Sequence, residues 1–156
     1  MTSTKPIEMF VRLVVPDNIA LTAKHTLHKI GFKIADLRRE DYYSFSVDAK
    51  DPKNTKDKNT EELKNLLAKT DILANANKHK VSFDLERDGT KILVTDIDNT
   101  GQGLLHTLRE RLGFAQIQSA SSGTLWTFIG CKEEDAVKMT KELLINEHYQ
   151  EFKLLQ

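Results

Sequence analysis

A single cysteine, three prolines and one tryptophan in 156 residues leave this chain little special chemistry to work with. With Cys131 alone no disulfide can form within the chain, and its place after Phe128-Ile129-Gly130 suits a buried or half-buried structural thiol. No apolar run approaches the roughly 20 residues of a membrane-spanning helix, and Met1 to Pro6 has no hydrophobic core for export. Both absences predict a soluble, cytoplasmic protein. An excess of one charge is missing as well, since 23 basic side chains cancel 23 acidic ones. From Glu8 to Phe83 the balance is 14 basic to 11 acidic, and from Asp84 onward 8 to 12. Neither part has the basic stripe that displaces counterions, so no nucleic-acid partner is expected.

What the chain does contain, it contains twice. His25-Thr26-Leu27 leading to Gly31-Phe32 returns as His106-Thr107-Leu108 leading to Gly113-Phe114. An apolar strand and an aspartate precede each copy: Val11 to Val15 with Asp17, and Ile92 to Val94 with Asp98. Leu73-Ala74-Asn75 and Leu144-Ile145-Asn146 close them. The spacings drift by several residues, which marks a diverged duplication and not a short-period array. Such a chain is expected to behave as a dimer built in one piece, with its function on the surfaces it presents. An apolar content of 39%, including seven Phe, can fill two modest cores.

The periodicity supplies the elements. Met9 to Val15 reads as a buried strand. Asp17-Asn18 caps a helix with Ile19, Ala23, Leu27 and Ile30 on its apolar side, ended by Gly31. Phe32 to Leu37 and Tyr42 to Val47 read as two strands about a charged turn, Arg38-Arg39-Glu40-Asp41. Residues 49–59 read as a mobile loop. Asn59 with Glu62 resembles a capping box, opening a helix with Leu63, Leu66, Leu67, Thr70 and Leu73 on one side. Val81 to Leu85 closes the unit, and Arg87-Asp88-Gly89 turns the chain. The second unit repeats this order with a strand at Lys91 to Thr95 and a helix from Gly103 to Leu112. A hairpin follows across Ser122-Gly123, then a helix from Glu133 to Ile145 with Ala136, Met139 and Leu143 inward, and a strand at Glu151 to Leu155. Strand-helix-strand-strand-helix-strand is the split-βαβ order, an antiparallel sheet with two helices on one face. The expected fold is α+β, two tandem βαββαβ units over residues 8–86 and 90–156 packed as a pseudo-dimer.

Catalytic motifs are few. Asp96-Ile97-Asp98-Asn99-Thr100 after an apolar strand resembles the nucleophile loop of haloacid-dehalogenase-type phosphatases, where one Asp attacks phosphorus, the next is acid/base, and magnesium holds the phosphate. Only 56 residues follow Thr100, too few for the parallel sheet and crossover helices of such an enzyme. Asp98 also has a counterpart, Asp17, in a unit where Val15 stands in place of Asp96, so a helix-capping Asp98 is the preferred reading. His25 and His28 lie one helical turn apart and His106 repeats His25, but no carboxylate or cysteine nearby in sequence completes a metal shell. His79 and His148 lie near the last strands. Gly101-Gln102-Gly103 could offer backbone amides to a phosphate, although a flexible helix start explains the pair as well. The residues therefore predict no catalytic, cofactor or metal site.

The matched segments do resemble a family, the PurS subunit of phosphoribosylformylglycinamidine synthase. Its members have an aspartate-containing turn, a helix ending in Leu-x-x-Leu-Gly-Phe or similar, and a later helix finishing Leu-Leu-Ala-Asn before a closing strand. Asp17-Asn18-Ile19-Ala20 through Leu27-His28-Lys29-Ile30-Gly31-Phe32 follows that spacing without a gap, and Leu73-Ala74-Asn75-Ala76 supplies the later motif. Asp98 to Phe114 fits with one extra residue, and Leu143-Leu144-Ile145-Asn146 fits the later motif. The resemblance spans nearly the whole chain as two copies. It implies a ferredoxin-like, PurS-like fold and a non-catalytic subunit, without activity alone, that bridges the glutaminase and the ATP-dependent synthetase of one purine-biosynthetic complex. A further homodimer is compatible with it. Asp17 and Asp98 at helix starts, Gly101, Gly31 and Gly113 at helix ends and turns, Phe32 and Phe114 in the cores, and Asn75 and Asn146 before the last strands are the expected structural and interface positions. The alternative is an ACT-like module binding a small molecule between its halves.

Overall fold

Met9 and Val11 point one way from their strand and Phe10 the other, and all three are buried, as a continuous apolar run is inside a sheet covered on both faces. In the computed structural model, which describes residues 6–47, 56–75, 77–98 and 100–155, this strand is β1 (Ile7–Leu13). After it come α1 (Asn18–Lys29), β2 (Asp36–Val47), α2 (Lys56–Ala68), β3 (His79–Ser82) and β4 (Thr90–Asp96). The chain continues with α3 (Gln102–His106), β5 (Ile117–Ile129), α4 (Glu133–Met139) and β6 (Gln150–Leu155). Each of α3 and α4 runs on into a π-helical turn, Thr107–Arg111 and Thr140–Leu144. The fold is α+β, with one six-stranded antiparallel sheet in the order β3-β1-β2-β5-β4-β6 and four helices. Among the described residues no helix is long and apolar enough to cross a membrane.

Two expected hairpins are absent. Arg38-Arg39-Glu40-Asp41 is not a turn but the middle of β2, and Ser122-Gly123 lies inside β5. These two long strands pair antiparallel along almost their whole length, from Asp36 opposite Ile129 to Val47 opposite Ile117, with Tyr42 facing Gly123 at the centre. The charged run stays extended because its side chains find tertiary partners on both faces. Arg39 bonds Asp17 on the helix side, while Arg38 bonds Asp88 on the other. Each unit therefore has three strands, in the order βαβαβ, where four were expected.

All four helices pack on one face, over cores drawn from both units. The first joins Met9, Phe45, Leu63 and Leu67 to Leu108, Phe114 and Ile117. The second joins Leu27 and Leu37 to Ile92, Trp126, Phe128 and Met139. A third, smaller cluster of Phe10, Tyr42, Leu93 and Leu125 lies on the opposite face, with Leu85 of the inter-unit linker packed on it. Fully burying side chains of this size contributes about 1.5–3 kcal/mol each. No unit keeps a core to itself.

Several helix faces differ from the spacing argument. Ile19 and Ile30 of α1 are exposed (56% and 53%), and Ala20 and Leu27 are buried instead. Leu66 of α2 is exposed while Leu63 and Leu67 are buried. The α2 helix starts at Lys56, ahead of the expected capping box at Asn59. Of the anticipated mobile loop, residues 49–55 lie outside the described residues. At the end of α4 the Ile145 amide reaches back to the Thr140 carbonyl, and this wider turn rolls Leu143 outward and Leu144 onto the second core.

Candidate interaction surface

Asn75 and Asn146 build the same turn twice. The Asn75 side chain accepts from the Asn77 amide (2.9 Å), and its carbonyl accepts from Lys78 (2.9 Å) and His79 (2.7 Å). The Asn146 side chain accepts from the His148 amide (3.1 Å), and its carbonyl from Tyr149 (3.0 Å) and Gln150 (2.8 Å). Even the turn's own amide is held alike: Asn75 N–H donates to His79 Nδ1 (2.9 Å), and Asn146 N–H to the Gln150 side-chain carbonyl (3.0 Å). A short amide side chain that reaches two residues ahead is what such a turn requires. Each turn then receives the end of a central strand, Val14 N–H donating to Lys78 C=O (2.8 Å) and Ile97 N–H to Tyr149 C=O (2.7 Å).

Beside these two polar turns, large apolar side chains stand exposed. Val14 (59%) and Val15 (54%) are exposed at the first, and Ile97 (54%) and Tyr149 (64%) at the second. β1 and β4 are separated by three antiparallel pairings and so run in opposite directions. The two apolar surfaces consequently sit at opposite ends of the sheet.

The other expected positions divide into those with a defined task and those without. Asp17 is the N-cap of α1, accepting from the Ile19 (3.0 Å) and Ala20 (3.2 Å) amides, and Arg39 grips it with both Nε (3.0 Å) and Nη2 (3.2 Å). Asp98 does not repeat this. It is exposed, the N-cap of α3 is Gly101, and Asp98 makes no hydrogen bond or ion pair among the described residues. The reason is the drift in spacing, because Asp17 directly precedes its helix while Asp98 is separated from α3 by further residues. Gly101 is buried with φ +75° and lies against the backbone of Ala120, so its task is close packing. Gly31 (φ +104°) and Gly113 (φ +77°) follow the two helices. Phe32 N–H returns to Leu27 C=O and Phe114 N–H to Leu108 C=O, one residue further back. The π-helical turn absorbs that extra residue. Phe32 packs on the second core and Phe114 is buried in the first.

Sequence reasoning missed a charged strap. The linker after β3 crosses the helix-free face, where Leu85 packs on the third cluster, and ion pairs fasten it. Arg12 (3.6 Å) and Arg38 (3.7 Å) reach Glu86, and Arg38 (2.7 Å) and Lys91 (3.0 Å) reach Asp88. Lys91 is buried and also donates to Thr127 (2.9 Å). Burial works to raise the Asp88 pKa but is outweighed by hydrogen bonds from Lys91 and Arg38 and by the Lys91 charge, which lower it. Glu40, in a cleft of about 200 Å³ under the strap, is pushed up by burial against the opposing pull of Arg12 and Lys91. No signal for it stands in the sequence, because the partners of Arg38 and Lys91 come from a linker that local patterning does not place.

Little of this is chemistry. Asp96 accepts from Gln150 (3.0 Å) at the end of an antiparallel strand, a setting unlike the parallel sheet that a haloacid-dehalogenase-type loop needs. Among the described residues, no three His, Cys, Asp or Glu side chains could hold a metal ion. His28 Nε2 lies 3.0 Å from the Ile34 carbonyl, and His25 and His106 are exposed. Burial and then the nearby Asp135 raise the Cys131 pKa above its ordinary value. A polar cleft of about 280 Å³ opens beside the Tyr42–Gly123 centre on the helix side, lined by Asp41, Tyr43, Asp96, Ser122, Thr124 and Gln150. A scan against protein-family models finds no match to this chain, and a search of curated proteins finds none either.

Proposed function

We propose that this protein is a non-catalytic bridging subunit of the PurS kind, holding the glutaminase and synthetase subunits of phosphoribosylformylglycinamidine synthase at a fixed separation. The reading takes the two repeats as diverged split-βαβ units, ferredoxin-like and PurS-like, packed as a pseudo-dimer about the β2·β5 ladder. The observation that carries it is the pair of exposed apolar pairs, Val14 with Val15 and Ile97 with Tyr149, beside the same asparagine turn at opposite ends of one sheet. Two ends with one scaffold and different side chains suit two different partners, and ammonia passing between enzymes needs them held in register.

The test is co-purification from the protein's own cytosol with glutamine and ADP present. Recovery of both enzyme subunits, with Val15→Glu losing one and Ile97→Glu losing the other, is the expected result. Recovery of neither by the wild-type chain sinks the proposal. The polar cleft beside the β2·β5 centre favours a second reading, an ACT-like small-molecule module. A rise in melting temperature with an amino acid or purine precursor, abolished by Asp41→Ala, would select that reading.

A further inference from the structure

The two edges of the sheet differ in length. β3 is four residues long, and at the start of each edge strand the first amide, of His79 or of Gln150, is taken by the asparagine carbonyl of its turn. β6 is six residues long and has β4 on one side, with no strand on the other among the described residues. The Ile97-to-Tyr149 hydrogen bond fixes which of its groups are free. It sets the main-chain groups of Tyr149, and of Glu151 and Lys153 at alternate positions after it, towards β4. Those of Phe152 and Leu154, and the Gln150 carbonyl, face outward. A row of outward main-chain groups is a template for another strand.

We infer that β6 pairs antiparallel with β6 of a second copy of this chain, with Phe152 opposite its own counterpart. The charges select both partner and register. Glu151 and Lys153 have no ion-pair partner among the described residues, and within the sheet they stand opposite uncharged Thr95 and Leu93. Centred on Phe152, each copy sets its Glu151 against the other's Lys153 at the closer, non-hydrogen-bonded positions. Moving the centre by one residue sets Glu151 against Glu151 or Lys153 against Lys153. A centre between residues opposes outward groups to inward ones and loses the ladder. In the favoured register Phe152 exchanges both main-chain hydrogen bonds with its counterpart, and each Leu154 amide meets the other copy's Gln150 carbonyl. Phe152 and Leu154, only partly buried at the rim of the second core, gain cover from the same residues of the second copy. This self-complementarity is why the occupant is a second copy and not an unrelated strand.

Sedimentation equilibrium over a concentration series tests the pairing independently of any bridging role. The wild-type chain is expected to dimerise, and Glu151→Lys or Lys153→Glu alone to weaken the dimer about tenfold or more by creating like-charge pairs. An equimolar mixture of the two variants should recover wild-type affinity, because each then meets its opposite. The double exchange in one chain should recover it as well. All variants keep wild-type circular dichroism, since neither side chain is used within the monomer. A wild-type chain that stays monomeric, a dimer indifferent to the single exchanges, or variants that do not associate on mixing would each overturn the inference.

Discussion

Three glycines separate close packing from conformational freedom, and Gly101→Ala is the decisive substitution. A methyl group at Gly101 would overlap the Ala120 carbonyl oxygen and stand 2.8 Å from the carbonyl carbon, on a residue with φ +75°. Overpacking of this kind costs about 1–3 kcal/mol, and the left-handed backbone adds about 1–2 kcal/mol for a side chain. The sum, roughly 2–5 kcal/mol, is a large share of the 5–15 kcal/mol by which domains are stable. At Gly31 (φ +104°) nothing lies within 4 Å, so alanine there loses only the backbone contribution of about 1–2 kcal/mol. Gly103, inside α3 with open space around it and no positive φ, should become more stable by about 0.5–1 kcal/mol as alanine. Urea unfolding followed by the fluorescence of Trp126, the sole and buried tryptophan, measures all three on one scale. Equal slopes against urea would show that each change acts through the native state. If Gly101→Ala proved as mild as Gly31→Ala, the close approach of α3 to β5 would be wrong.

Two further predictions concern the charged network. Burial raises the Glu40 pKa above its ordinary value of 4.5, so folding holds that proton more tightly. Its stabilising contribution is complete below the ordinary value and is lost as pH rises through the folded one. Glu40→Gln should therefore be more stable than wild type at neutral pH, with the difference closing in acid; a constant difference in denaturation experiments across pH would contradict this. Asp17→Ala removes both the α1 cap and the Arg39 clamp and should lose about 1–2 kcal/mol, whereas Asp17→Asn keeps the cap and should lose less. Equal losses in thermal unfolding would place the whole effect on the ion pair.

The recurring motifs were legible because several of their residues have local tasks. Asn75 and Asn146 hold their own turns, Gly31 and Gly113 follow their helices, and Asp17 caps the helix it touches. These are short-range causes, and a single sequence displays them. The long strands were not legible, since nothing local in Arg38-Arg39-Glu40-Asp41 announces that Asp17, Glu86 and Asp88 will arrive from elsewhere to keep it extended. The exposed faces were missed for the same reason. Helical spacing placed Ile19, Leu66 and Leu143 inward, but spacing fixes which residues share a side and not which side the sheet will cover. The paired apolar ends at Val14 and Ile97 needed the strand directions, which only the sheet order supplies.

The central ladder also sets the order of events during synthesis. Asp36 waits for Ile129, and every other pair between β2 and β5 likewise spans a long stretch of chain. Until the ribosome has released β5, the inner edge of β2 stands open, and Met9 and Phe45 lack the cover of Leu108, Phe114 and Ile117. Contacts so distant in sequence form slowly, and a nascent chain with an open strand edge and bare aromatic surface is the form most exposed to aggregation. A sheet whose central ladder joins the two halves of the chain thus closes only when the ribosome has delivered the second half.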